Sequence, residues 1–443
     1  MNLAIMKTKA EQALVESFQT VAGSLPGGSD VQRVRREAAE RFEVLGLPHR
    51  RIEEWKYTDL RQILKDVLPP RVNDATELTI PDVIVALGPL GSLDAHRIVF
   101  VNGAYRAKLS TPGSLDGLEF SPLATQLADG ESHTVKLTRT TGPADEDATL
   151  ALNTAFMSDG AVLSIRPGAE LSKPVVVVHV RAGREPHAAT MRHVIEVGAG
   201  ARATIVEAFV SLPGVVDEGQ INTASEVVVH EQSRVTHVKC AVDQGDVAHL
   251  SNWIVRIGRE ADYRGFQQTQ GLALARNQIF VAFDGEDAKL DLSGAVLGRG
   301  TNHIDTTLFV DHTHPGCESR ELFKYILDDN ARGIFQGKIM VKRAAQQTDG
   351  KQMAQALMLS PDTEFDSKPE LEIFADDVAC GHGSTVAEID EDLLFYCASR
   401  GIPEAQARAL LTEAFIAEAI EMVRDEPVAQ ALTDWARSWL NAA

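Results

Sequence analysis

Cysteine is scarce. Only Cys240, Cys317, Cys380 and Cys397 are spread over 443 residues, with no C-x-x-C pair, which is too few and too scattered for a disulfide framework in so long a chain. A reducing compartment such as the cytosol fits that usage. Positive charge is in deficit: 43 Lys+Arg against 63 Asp+Glu leave a formal charge of -20, which opposes non-specific binding to nucleic acid or to an anionic membrane. Long hydrophobic runs are also missing. Ahead of Lys7 and Lys9 only Leu3 to Met6 is apolar, far short of a secretory h-region, and no segment approaches the ~20 apolar residues of a membrane span. Neither export nor membrane insertion is therefore expected. The nucleotide motifs are missing too. Gly333 to Lys338 reads G-x-x-x-G-K followed by Ile339, lacking the P-loop spacing and its Mg²⁺-binding hydroxyl, so the chain is not expected to hydrolyse ATP. There is no G-x-S-x-G elbow, Rossmann glycine fingerprint or H-E-x-x-H helix.

What remains is a globular chain, 44% hydrophobic and 24% charged, long enough to bury a sizeable core. The first stretch reads as helical. Leu14, Phe18 and Val21 follow one face, and after Gly27-Gly28 the pair Ser29 and Gln32 forms a capping-box pattern ahead of Val34, Ala38, Phe42 and Leu45. Pro69-Pro70 ends that pattern, and Ile98 to Val101 runs into Asn102-Gly103, a hairpin signal. From there to about residue 380 short strand-like segments such as Val175 to Val180, Thr204 to Val210 and Ile279 to Phe283 follow one another. Ala288, Leu290 and Leu292 alternate with Asp287, Lys289 and Asp291, which are expected to face solvent. No helical pattern of ten or more residues interrupts the series, which argues against a doubly wound fold and leaves a sandwich pair, a propeller or a parallel β-helix. The lack of a fixed repeat period counts against the propeller.

The C-terminal residues are helical again. Asp390 can cap a helix ending at Gly401, Pro403 opens the next, and Leu411, Phe415, Ile416, Ala419, Ile420 and Val423 form one broad apolar face. A third helix from Pro427 carries Val428, Leu432, Trp435 and Trp439. The wide face either packs into an internal core or docks a partner.

Two segments carry metal-ligand chemistry. In Asp311-His312-Thr313-His314-Pro315-Gly316-Cys317, a strand would put both histidines on one side with Cys317 near; the bland alternative is a polar turn with Cys317 packed as a small hydrophobe. In Asp376-Asp377-Val378-Ala379-Cys380-Gly381-His382-Gly383, Cys380 and His382 share a face of an extended backbone and can supply two ligands to iron or zinc. The alternative is again a turn with a buried cysteine. Asp376 and Asp377, adjacent on a strand, would point to opposite faces and could not flank one scissile bond.

The run Pro369 to Val378 leading into Cys380-Gly381-His382-Gly383-Ser384-Thr385-Val386, with Leu394-Phe395-Tyr396 and Ser399-Arg400-Gly401-Ile402, closely resembles the SufB/SufD family of iron–sulfur cluster assembly proteins. Phe335 to Ile339, Thr348-Asp349-Gly350, Gln355 to Ser360 and Glu53-Glu54-Trp55-Lys56-Tyr57-Thr58 extend the resemblance over nearly the whole chain. Gly383, where SufB typically carries Glu, and the Glu-Trp-Lys-Tyr-Thr segment are similar to the SufD branch. The resemblance implies a right-handed parallel β-helix core over 91–383, between an N-terminal helical domain over 1–90 and a C-terminal helical domain over 384–443. It implies a cytoplasmic, non-catalytic scaffold subunit of a SufB-SufC-SufD complex, in which an ABC-type SufC ATPase docks on the C-terminal helices and a nascent Fe–S cluster is shared with a SufB-like paralogue. His382 is then the first candidate ligand and Cys380 the second, Leu411, Phe415, Ile416, Ala419, Ile420 and Val423 would receive the ATPase, a homodimer could form in isolation, and a reduced flavin could serve the complex. The alternatives are an exported β-helix carbohydrate lyase or hydrolase and a SufB-like homodimer that holds a cluster. The Trp55 to Thr58 segment is expected to seal the N-terminal helices to the core.

Overall fold

The computed structural model describes residues 7–72, 76–111, 117–129, 144, 146–215, 218–243 and 245–441, so the apolar run Leu3 to Met6 lies outside the described residues. Short Val-, Ile- and Leu-rich strands alternate with tight corners, and each coil of chain lays one strand into each of two sheets. Among the described residues one sheet has ten strands and the other nine, and from Ala161–Ile165 onward chain-order neighbours fall in opposite sheets. Within each sheet the strands are parallel, apart from the antiparallel pairs that begin both sheets, His96–Val101 with Ala104–Tyr105 and Leu118–Pro122 with Ala161–Ile165. The first of these is the hairpin signalled by Asn102-Gly103, both at positive φ. The result is a mainly β chain with a parallel β-solenoid of about 8 turns and helices at both termini.

One corner of each coil is fixed by a residue in the left-handed region: Gly200, Gln232, Glu260, Asp287, Gly316 and Gln347. Each donates its backbone N–H to a carbonyl of the following coil's corner, in turn Glu231, Arg259, Glu286, Pro315, Gln346 and Asp377. That ladder satisfies the turn amides and sets the coil register. Four of these six positions carry Gln, Glu or Asp, so the corners have no uniform glycine mark. Inside, Ala288, Leu290 and Leu292 are buried as their alternation requires, while Lys289 is exposed.

The N-terminal helices differ from expectation in phase. Helix Ser29–Leu45 is capped by Gly28, Ser29 lies inside its first turn, and the Ser29–Gln32 capping box does not form. Its buried face is Val31, Arg35, Ala38 and Phe42, and Leu45 is exposed. Helix Ala148–Phe156 interrupts the strand series and is buried along its whole length. A short helix covered all round leaves no amphipathic stripe in the sequence. The Trp55 to Thr58 segment does seal these helices to the solenoid. Arg276 donates to buried Asp305 and to the Glu54 carbonyl (2.7 Å), and its guanidinium lies 4.2 Å over the Trp55 ring. The Thr58 hydroxyl also donates to Asp305.

At the other terminus Asp390 accepts from the Asp392 and Leu393 amides to cap Glu391–Ser399, and helices Glu404–Ile420 and Glu426–Asn441 follow. Ile416, Ala419, Ile420 and Val423 are buried in one cluster with Leu432 and Trp435 and with Phe266, Ala295 and Ile326 on the outside of the ten-stranded sheet. Phe415 packs at its margin beneath Lys324, and Leu411 is half-buried. The broad face expected to receive a partner is therefore largely internal core, because that outer sheet face is itself apolar and must be covered.

The solenoid interior is partly imidazole. His179 stacks on Phe209 (4.5 Å) and Phe100 (5.1 Å), and burial holds His179 and His249 well below the ordinary histidine range. Below pH ~6.5 the unfolded chain takes up protons that the folded interior refuses, so stability falls as pH drops, by roughly 1.4 kcal/mol per pH unit for each such group. Denaturant unfolding between pH 7.5 and 5 should show this slope, and His179→Phe should flatten it by about one proton; an unchanged slope contradicts a neutral buried imidazole.

Candidate functional site at the open end of the solenoid

The last strand of each sheet, Glu364–Ile373 and Gly381–Ala387, is paired on one side only. Among the described residues no further strand pairs with the final coil. Gly381–Ala387 lies in register on Asp349–Met358, so Gln352 stands beside His382 and Gly350 beside Cys380. Register partners in a parallel pair project to the same side. Gln352 is buried and spans to the opposite sheet, its Nε2 donating to the Gly337 carbonyl at 3.2 Å. Cys380 and His382 therefore face the end of the solenoid interior, and His382 is exposed because no further coil stacks on it. Cys380 is half-buried, and desolvation pushes its thiol above the ordinary range. Its Sγ and the Ser319 Oγ lie 3.5 and 3.4 Å from where a Cβ on Gly350 would stand, on either side of that position.

The other segment arrives in the same interior. His312 ends its strand and is fully buried, its Nε2 3.0 Å from the Ser319 hydroxyl and its ring 4.5 Å from Phe283; burial lowers it to about 3. His314 sits in the following bend with Nδ1 2.9 Å from the Phe283 carbonyl, and Cys317 is buried at the corner, pushed up to about 11. Because the strand stops at His312, the three side chains do not converge. Among the described residues no group of three or more His, Cys, Asp or Glu forms a metal cluster. Asp376 and Asp377 occupy an exposed bend rather than a strand, so strand alternation does not govern them.

Sequence reasoning passed over the residues between. Ser319 and Glu321 share the inward parity of Phe323, Tyr325 and Leu327, all buried, and that parity was the available signal. Register then gives one inner row, Leu292, Glu321, Gln352, His382, and beside it Leu290, Ser319, Gly350, Cys380. Two polar coils thus sit on an apolar floor beneath the open end.

Two family models match, one described as the SUF system FeS cluster assembly SufBD core domain over residues 179–415 and one as the SufBD protein N-terminal region over 8–177. The chain belongs to the SufBD family. It is 29% identical over 397 residues to the iron-sulfur cluster assembly protein SufD of Escherichia coli K12, covering 87% of each chain. The Bacillus subtilis SufD is 26% identical over 419 residues, covering 91% of this chain and 92% of the relative, and the chloroplastic protein ABCI7 of Arabidopsis thaliana is 26% identical over 428 residues, covering 92% and 86%. Within the SufBD family the chain is most like SufD. Gly383 faces Met353, away from the imidazole: an added Cβ would meet Met353 Cε at 2.7 Å. No helix among the described residues is long and apolar enough to cross a membrane.

Glu321 is fully buried, and desolvation pushes its carboxyl up to about 8, the Ser319 hydroxyl and Arg320 acting against that shift. An unfolded Glu releases its proton near 4.3 while the folded one keeps it, so this group costs stability increasingly as pH rises from ~4.3 to ~8. Glu321→Gln should raise the unfolding midpoint at pH 8 and leave it unchanged at pH 4.5; equal midpoints at both would show that Glu321 is ionised in the fold.

Proposed function

We propose that this SufBD-family chain is a cytoplasmic, non-catalytic scaffold subunit that assembles nascent Fe–S clusters as cargo at its open solenoid end. The carrying observation is an exposed His382 on an uncapped coil whose interior is polar. An uncapped pair of strands exposes unmet backbone groups and invites another chain. A SufB-like paralogue is the occupant that completes the coil and supplies the remaining ligands, with His382 as this chain's first ligand and Cys380 as its second. In isolation a second copy of the chain takes the same place.

The ATPase partner docks on the C-terminal helices, but through different residues from the face first read. Helix Glu391–Ser399 has no buried residue, and Phe395 (76% exposed), Tyr396 (55%), Leu393 (49%) and nearby Leu410 (48%) offer apolar surface without cover. Nucleotide-driven closure of that partner then works on the solenoid end through these helices. The reading routes no step through a reduced flavin. Family membership leaves no support for an exported carbohydrate lyase.

In the co-expressed complex reconstituted anaerobically, His382→Ala should leave subunit assembly intact and lower cluster content about tenfold; undiminished cluster content rules out the ligand role. Phe395→Asp should keep the chain's own melting temperature and abolish co-purification of the ATPase, and full retention of that subunit contradicts the docking assignment.

A further inference from the structure

A neutral imidazole offers a metal only one lone pair, and which nitrogen carries it is set by the hydrogen bond the other nitrogen makes. An exposed His382 with no such partner would populate both tautomers and several rotamers. The inner row supplies a partner. Gln352 is 2% exposed and stands beside His382 in register, about 4.8 Å away by strand spacing. Its carboxamide is not free to turn. Nε2 donates to the Gly337 carbonyl at 3.2 Å across the interior, and a Cβ at Gly337 would stand 2.4 Å from Oε1, so the amide lies where only glycine leaves room. Oε1 itself is buried without a hydrogen-bond partner, a condition that costs about 1–3 kcal/mol unless something answers it. Behind Gln352 the row continues to Glu321 and ends on Leu292.

We propose that Gln352 is a positioning residue for His382, its Oε1 accepting the N–H of the imidazole nitrogen turned into the solenoid and leaving the outward nitrogen as the donor at the open end. This rests on the reading of His382 as a cluster ligand and adds the residue that orients it. Gln352 is held from across the interior by the Gly337 carbonyl, so the orientation of the ligand is inherited from the packed interior rather than from the partner chain. The contact is not made in this structure, where Oε1 has no partner, and forms when the exposed imidazole turns inward onto it.

The test uses the full-length chain with ¹⁵N-labelled histidine, the His382 signals being assigned by their loss in His382→Ala. Wild type should show one neutral tautomer for His382 at pH 8. Gln352→Leu, which keeps the bulk and removes the acceptor, should give a mixture, and Gln352→Glu should restore a single tautomer. Buried His237 and His249 report whether each variant is folded, and Gln352→Met replaces Gln352→Leu if the latter is not. In the co-expressed complex the acceptor-less variant should lose cluster about tenfold. A mixed tautomer in wild type, or an unchanged single tautomer in the folded acceptor-less variant, overturns the proposal. If His382→Ala leaves cluster content unchanged while the tautomer responds to Gln352, the ligand reading fails and the positioning contact stands.

Discussion

A parallel coil is held by the coil before it and the coil after it, through backbone ladders along both sheets and through inward side chains that stack in register. The first and last coils each lack one neighbour. At the first-coil end the chain answers the problem itself with antiparallel strands. At the other end it does not, and Glu364–Ile373 and Gly381–Ala387 stop with one side unpaired. The open end is the geometric fact from which the exposure of His382 follows and on which the proposal of a second chain rests.

The interior near that end is arranged as a gradient. Leu290 and Leu292 form hydrocarbon across one coil, Ser319 and Glu321 bring polar groups to the next, Gln352 follows, and Cys380 and His382 end the two rows. Buried polar side chains are expensive unless satisfied. The Gln352 Oε1 is such a group left without a partner, one coil beneath the open end. The surface proposed for the ATPase lies at a different place: helix Glu391–Ser399 is anchored by its cap and its neighbour while its own apolar residues stay uncovered.

Much of this was readable from residues. The alternation at Ala288, Leu290 and Leu292, the Asn102-Gly103 hairpin and the punctuation by Asp390, Gly401 and Pro403 each express a local rule that tertiary structure left in force. The repeat was not visible as a fixed period because Arg202, Arg234, Asp262, Lys289, Glu318 and Asp349 stand in successive register at unequal chain steps, and the corners use Gln and Glu as readily as Gly. The Leu411 to Val423 face left core and docking both open for a physical reason. Amphipathicity says that a stripe is buried, not against what, and the apolar outside of the sheet claimed it. The pairing of Cys380 with His382 on one face came from strand geometry. The stacking of Gln352 beside His382 required the register, which no local pattern encodes.

The central claim, that the uncapped last coil is an interface, is tested most directly by amide hydrogen exchange on the chain alone and bound to its SufB-like partner. The account predicts that the peptides covering Glu364–Ile373 and Gly381–Ala387 gain at least tenfold protection on binding while the first-coil strands do not. Protection confined to the first-coil end, with the last two strands exchanging as fast as before, would contradict it.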